Sequence, residues 1–217
     1  MTATQLETAA RRRLNAVTSQ FWSSDEIISE CLFAAIVDVC ARAKVYETTA
    51  TATSVIGTAD YTKPTGTIEI KRIKYDGQKL ELIPEREFFA MNLAGTASPQ
   101  GRPRSYFMWG STYTLYPTPD EVKTISLQIV GAPTSVDSGT DISAIIPSQF
   151  HMRLVNGVVY YMNMKEAEDP RLPVFENRWL NVDLPSIVDE WRRSKHADKM
   201  PRVRTEETLL TNETGIV

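Results

Sequence analysis

The chain has 217 residues, with 24 Lys and Arg against 27 Asp and Glu, a formal net charge of −3 and 42% hydrophobic residues. This composition is typical of a soluble globular protein and excludes a disordered, collagen-like or membrane-spanning chain. The slightly acidic balance argues against a dedicated duplex-DNA-binding protein, which usually carries net positive charge.

Two helix-starting patterns lie near the N-terminus. Thr4 stands three residues before Glu7, and Ser23 stands three residues before Glu26. In such a capping box the two side chains satisfy free backbone N–H groups. Apolar residues at helical spacing follow each pair. We therefore expect a short amphipathic helix beginning at Thr4 and a longer helix from Ser23 to about Val45.

The second predicted helix is apolar on nearly all sides, because Asp38 is its only charged residue between Cys31 and Ala41. A helix of this kind is buried, either among other helices of its own chain or against a neighbouring subunit. The candidate residues for packing against a neighbouring subunit are Leu32, Phe33, Ile36 and Val37.

The middle of the chain is rich in turns, since most Gly and Pro residues lie between positions 46 and 147. Asp76 and Gly77 form a typical hairpin turn, and Leu80 and Leu82 alternate on the return strand. The other expected elements are a bulge near residues 71–72, weaker Thr-rich strands at 48–53 and 58–62, a short helix at 85–92, a hairpin with strands 105–109 and 112–116, and a strand at 125–129.

A second helical region begins after Pro147 and continues to about Lys195. Gly157 within it is expected to permit a close helix crossing, and Pro173 suits the first turn of a following helix. Pro185 predicts either a kink or a restart of that helix.

These patterns predict an α+β fold. The N- and C-terminal helices form an antiparallel helical bundle, into which a small antiparallel β-sandwich-like domain is inserted, and an extended C-terminal tail follows. The expected helical core comprises residues 1–45 and 147–198, the inserted β-rich domain residues 46–146, and the tail residues 199–217.

Two groups of side chains are candidates for interaction surfaces. Aromatic residues concentrate on the predicted second hairpin, where they form the β-domain core and cross-strand pairs or, if exposed, stack on a sugar or an unpaired base. The candidate β-domain interface consists of Tyr106, Trp109, Tyr113 and Tyr116. Near the C-terminus a basic stretch docks on an acidic surface of a partner protein, touches nucleic acid or is simply solvated. Its residues are Arg192, Arg193, Lys195, Lys199, Arg202 and Arg204.

The sequence has no recognisable catalytic or cofactor-binding motif. It contains two histidines, His151 and His196, and no phosphate-binding loop, dinucleotide fingerprint, nucleophile elbow or zinc-peptidase motif. Cys31 and Cys40 match neither a metal-binding nor a disulfide spacing and are interpreted as reduced core thiols. We expect no enzymatic activity, no cofactor and no bound metal.

Several local motifs, in this order, resemble those of the head-to-tail connector (adaptor) proteins of tailed phages, which form the ring below the portal. The resemblance extends from about Leu14 to Trp191. The stretches that carry it are Trp22-Ser-Ser-Asp-Glu-Ile, Pro84-Glu-Arg-Glu-Phe-Phe, Gly101-Arg-Pro-Arg-Ser-Tyr106, Leu115-Tyr-Pro-Thr-Pro-Asp120 and Ile146-Pro-Ser-Gln-Phe150.

The resemblance implies a structural virion protein at the head–tail interface, assembled in the host cytoplasm. Its copies, commonly twelve, would form a ring that binds the portal and a downstream tail or neck protein and extends the DNA channel. DNA would pass through without sequence-specific binding, and no membrane would be involved. In related adaptors the C-terminal segment contacts the portal, which assigns that contact here to the basic stretch. The alternative hypothesis is a carbohydrate-binding β module on a helical base in a host-recognition structure.

Overall fold

The computed structural model describes residues 1–15, 22–92, 99–165 and 170–197. It has the mixed α+β fold that the sequence predicts. The predicted extended tail, with Lys199, Arg202 and Arg204, lies outside the described residues. The helices are α1 (Ala3–Arg13), α2 (Ser24–Glu26), α3 (Phe33–Ala43), α4 (Glu85–Asn92), α5 (His151–Lys165), α6 (Leu172–Glu176) and α7 (Leu184–Ala197).

The capping box predicted for α1 is wrong by two residues. Thr2 caps α1, and the Thr2 and Gln5 side chains form the reciprocal box. Thr4 lies in the first turn, where its hydroxyl donates to the carbonyl of Ser138 at 2.8 Å. The helix begins early because Thr2 forms a β-bridge with Asp141, which fixes the backbone just before α1.

The second capping box is confirmed, since Ser23 caps α2 and Glu26 completes the reciprocal pair. A π-helical stretch, Ile27–Leu32, joins α2 to α3. The helical path ends at Lys44, whose left-handed backbone (φ 56°) closes α3 just before the predicted end at Val45.

The C-terminal helical region follows the expected order. Pro173 lies in the first turn of α6, as predicted. A second π-helical stretch, Asn177–Asp183, joins α6 to α7, and Pro185 is the second residue of α7. α-Helical geometry thus resumes at Leu184, one residue before Pro185, within a continuous helical path, whereas the sequence predicted a kink or a restart at Pro185.

One hydrophobic cluster unites the helical segments. Leu6 of α1, Ile36 of α3, Leu154 of α5 and Trp179 of the second π-helical stretch all have 0% exposed surface within it. The cluster also contains Val136, Ile142, Ile145 and Ile146. These residues pack with the helices, so the helical core takes in the end of the segment predicted as insertion 46–146. The division into domains itself stays a prediction.

The eight strands of the described residues form two sheets. They are β1 (Glu47–Thr53), β2 (Asp60–Thr62), β3 (Thr67–Tyr75), β4 (Gln78–Lys79), β5 (Glu81–Leu82), β6 (Ser105–Trp109), β7 (Thr112–Tyr116) and β8 (Thr124–Gly131). The first sheet has the order β1-β8-β3-β4 and the second β2-β7-β6-β5. All pairs are antiparallel except β5 with β6.

For the first hairpin the predicted turn is confirmed, but the predicted return strand is not. Asp76 and Gly77 both have positive φ, as the tight hairpin turn requires, and the register of β3 shifts between Ile70 and Arg72, where the bulge was expected. The return strand then divides: β4 stays in the first sheet, whereas β5 pairs with β6 of the second. As a result Leu80 is buried but Leu82 is 51% exposed.

The two sheets share a second hydrophobic cluster, separate from the helical one. Ile73 and Leu127 of the first sheet pack with Tyr113 and Leu115 of the second. The strand-rich middle therefore has a core of its own, built from alternate residues of both sheets.

Candidate interaction surfaces

A cleft of 360 Å³ lies where the ends of α3 and α7 meet the first sheet, and we call it the junction cleft. Basic side chains dominate its walls. Its lining residues are Arg42, Ala43, Lys44, Glu47, Lys71, Trp191, Arg192 and Lys195.

The predicted basic stretch enters this cleft through α7. Arg192, Arg193 and Lys195 are all exposed. Lys195 is partly neutralised, because its Nζ lies 2.9 Å from both carboxylate oxygens of Glu47 and 4.9 Å from the centroid of the Trp191 ring. Arg192 and Arg193 are therefore the more available cations for a partner.

Glu69 of strand β3 pairs with two of the lysines that line the cleft. Its carboxylate forms ion pairs with Lys44 and with Lys71, the latter at 2.6 Å. These hydrogen bonds, first from Lys44 and then from Lys71, lower the pKa of Glu69 below its ordinary value of 4.5. The acid thus fixes two lysines at the rim of the cleft.

We predict that Lys44→Met raises the pKa of Glu69 towards its ordinary value. The lowered pKa means that the pairing stabilises the fold above pH 4.5 and that this contribution is lost as the pH falls through the pKa of the folded state. Carboxyl NMR titration of Glu69 measures the change. Lys63→Met is the control, because the Nζ of Lys63 donates to the carbonyl of Gly110 instead. It should leave the titration of Glu69 unchanged.

Basic residues continue from the cleft along the outer side of the first sheet. Arg72 and Lys79 are exposed, and Lys74 lies directly opposite Lys79 in the register of β3 and β4. Like charges directly opposite on neighbouring strands are destabilising. This face of the first sheet therefore carries positive charge beside the cleft.

The sequence reasoning identified only the α7 side of this basic surface. Arg42, Lys44 and Lys71 come from separate segments, each as an ordinary charged residue at a helix end or in a strand. Nothing in their local spacing indicates that they meet, because the tertiary packing of α3, α7 and β3 brings them together.

The candidate subunit-packing residues of α3 and the π-helical stretch divide into two pairs. Leu32 and Ile36 have 0% exposed surface within the chain's own helical cluster. Phe33 and Val37 are half-buried. Most of the apolar character of this helix therefore serves its own core, and packing against a neighbour stays a prediction for Phe33 and Val37.

The candidate β-domain interface divides in the same way. Tyr106 and Tyr113 lie in the core between the sheets, where burial raises the pKa of Tyr113 to about 12. Trp109 is 61% exposed and Tyr116 is half-buried. Alternation along β6 and β7 places these two pairs on opposite sides of the sheet.

The outward-facing residues belong to a larger aromatic patch. The ring of Phe107 stacks on that of Phe88 from α4 at 4.7 Å between centroids, and Phe89 is 49% exposed beside it. The aromatic patch consists of Phe88, Phe89, Phe107, Trp109 and Tyr116. The sequence predicted α4 with these bounds but not that it packs onto the hairpin.

His151, Cys31 and Cys40 are buried titratable groups. His151 is buried, with its Nε2 2.9 Å from the carbonyl oxygen of Ile146, and the side chain of His196 lies outside the described residues. Cys31 and Cys40 are free and buried, and burial raises their pKa values to about 11 and about 12. Both thiols are therefore protonated at neutral pH.

Two buried carboxylates are also paired. Glu7 accepts hydrogen bonds from Arg11 at 2.8 Å and Ser24 at 2.7 Å, and Asp183 accepts one from Asn156 at 2.6 Å. Across the described ranges no group of His, Cys, Asp or Glu is arranged to hold a metal ion. None of the helices in those ranges is long and apolar enough to cross a bilayer.

Comparison with known proteins shows the family of the chain. The model of a family described as SU10 adaptor protein matches residues 1–197, which include all of the described residues. No curated protein matches the sequence.

Proposed function

The chain belongs to the SU10 adaptor protein family, a family of phage head-to-tail adaptors, and we propose that its copies form a ring that joins the portal to the tail and extends the DNA channel. Membership implies a structural role in the virion, with assembly onto portal and tail proteins. The family match over residues 1–197 is the observation that carries the proposal.

In the proposed ring, of twelve copies, each subunit meets its neighbours through two different faces. The half-buried Phe33 and Val37 are our candidates for one of these faces, because they extend the apolar helical core to its surface. Assembly would take place in the host cytoplasm. DNA would pass through the ring without sequence-specific contacts, and the protein would have no catalytic role.

We assign the portal contact to the exposed end of α7, where Lys195 rather than Arg192 or Arg193 pairs with the Glu47 carboxylate. The double variant Arg192→Glu/Arg193→Glu is expected to bind the purified portal at least about tenfold more weakly, because charge reversal creates repulsion from an acidic surface. Biolayer interferometry at two salt concentrations measures the effect.

The matched control is Arg86→Glu, which reverses an exposed charge on α4, a helix that contacts strand β6 rather than the cleft. It should bind the portal like the unmodified protein. Equal affinity of the double variant and the control would refute the assignment of the portal contact to α7.

A second candidate function rests on the aromatic patch. Trp109 and Phe89 are large, exposed and adjacent to one stacked pair, a surface that suits a flat sugar face. A carbohydrate-binding role predicts a change of Trp109 fluorescence on titration with host polysaccharides. A flat titration would leave the patch as our candidate contact for the downstream tail or neck protein.

A further inference from the structure

Strand β1 presents an open edge. It is the outermost strand of its sheet and pairs only with β8. The Gly131 amide donates to the Tyr46 carbonyl, and the Ser54 amide donates to the Lys123 carbonyl, so the even-numbered residues between them bond to β8. The N–H and C=O groups of Glu47, Thr49, Thr51 and Thr53 therefore point away from the sheet.

Among the described residues no backbone hydrogen bond reaches the outward groups of this edge. The seven residues of β1 contain no Pro, no Lys and no bulge, which are the usual devices that prevent pairing at an exposed edge. The other edge strands, β2, β4 and β5, have three, two and two residues. Of the edge strands that the structure describes, β1 alone offers a ladder long enough to hold an added strand.

The surroundings of the edge indicate the charge of its partner. The junction cleft opens at the Glu47 end of β1 and shares Glu47 and Lys71 with a shallow depression that crosses the sheet from β1 over Gln128 of β8 to β3. Five basic side chains line the cleft. Lys195 pairs with Glu47, and Lys44 and Lys71 pair with Glu69 at the rim. The positive charge available to a partner is therefore that of Arg42 and Arg192. A segment that enters along β1 thus meets cations at its start.

We propose that β1 accepts an extended acidic segment of a partner protein as an additional strand, with the main chain of the segment bonded to β1 and its carboxylates in the junction cleft. Main-chain hydrogen bonds hold the segment, and the cations of the cleft select for acidic side chains. The surface does not require a ring, and of the arginine pair assigned to the portal it includes only Arg192.

The geometry favours a peptide over DNA. The edge alternates N–H donors with C=O acceptors, whereas a phosphate backbone needs donors and is repelled by carbonyl oxygens. A peptide strand matches the alternation and can place every second side chain towards the basic residues.

The test uses the full chain and the fluorescein-labelled peptide Glu-Val-Glu-Val-Glu-Val-Glu. Fluorescence anisotropy should show saturable binding that weakens with salt, and hydrogen exchange followed by NMR should show slower exchange of the Thr49 and Thr51 amides with peptide present. The same peptide with Lys in place of Glu, and the same peptide N-methylated at alternate amides, should each bind at least about tenfold more weakly.

Two variants separate the edge from the cleft. Thr51→Pro removes one outward N–H without touching the bonds to β8 and should weaken peptide binding about tenfold, whereas Thr51→Val should not. Arg42→Glu should weaken binding through charge alone, and circular dichroism establishes that each variant is folded. No saturable binding, unchanged exchange of both amides or equal binding of the Lys peptide would overturn the proposal. Stronger competition by a 20-base-pair duplex, or protection of the same amides by self-association, would also overturn it.

Discussion

Replacing Gly157 by Ala is expected to lower the free energy of unfolding by about 1–3 kcal/mol. In an open helix the same change is stabilising by roughly 0.5–1 kcal/mol. Here a Cβ atom would lie 2.7–2.9 Å from three ring atoms of Trp179. Trp179 has no exposed surface, and its Nε1 donates to Asp38 at 3.2 Å, so the ring has no room to withdraw. Urea denaturation measures the loss.

Gly139→Ala is the matched control. An added Cβ there has no neighbour within 4 Å, and the backbone φ is not positive, so stability should be unchanged or slightly higher. Gly157→Leu should lose more than Gly157→Ala, because the larger side chain would displace the ring altogether. If Gly157→Ala were as stable as the unmodified protein, the close packing of α5 against Trp179 would be wrong.

Replacing Asp183 by Ala is expected to cost about 3 kcal/mol, because it removes one partner of a buried polar pair. The Asp183 carboxylate accepts from Asn156 at 2.6 Å and from Arg178 at 3.0 Å. Asn156 is 4% exposed and would lose its partner in a site with little access to water. Arg178 is 55% exposed at its side chain and can turn to solvent.

Asp183→Asn separates the hydrogen bond from the charge. Its amide oxygen can still accept from Asn156, so we expect a loss of only about 1 kcal/mol. Asp189→Ala, at an exposed position on α7, should change stability by less than about 0.5 kcal/mol. Thermal unfolding by calorimetry ranks the three variants. Equal losses for Asp183→Ala and Asp183→Asn would contradict the structural role of this pair.

Local signals predicted most of the elements. The Ser23 and Glu26 box, the turn at Asp76 and Gly77 and the bounds of β6 and β7 are confirmed, because each depends on residues a few positions apart. The cap of α1 was misplaced because Thr2 and Thr4 both have a suitable partner three residues later. The bridge of Thr2 to Asp141, a distant residue, decides between them.

Local sequence patterns did not predict the contacts between distant segments. The alternation of Leu80 and Leu82 predicts one strand, but the chain crosses from one sheet to the other between them. The amide of Leu80 donates to the carbonyl of Ile73, whereas the amide of Glu81 donates to the carbonyl of Arg104. The junction cleft and the aromatic patch likewise combine residues from separate elements. The resemblance to phage adaptors was recoverable because it depends on the order of many local motifs, and the family match confirms it.

Electron cryo-microscopy of this protein mixed with the portal of its phage tests the adaptor assignment most directly. We predict a closed ring of copies seated against the portal, with a continuous central channel and with the α7 ends carrying Arg192 and Arg193 at the contact. A protein that remains monomeric and leaves the portal ring unoccupied at micromolar concentrations would contradict the assignment.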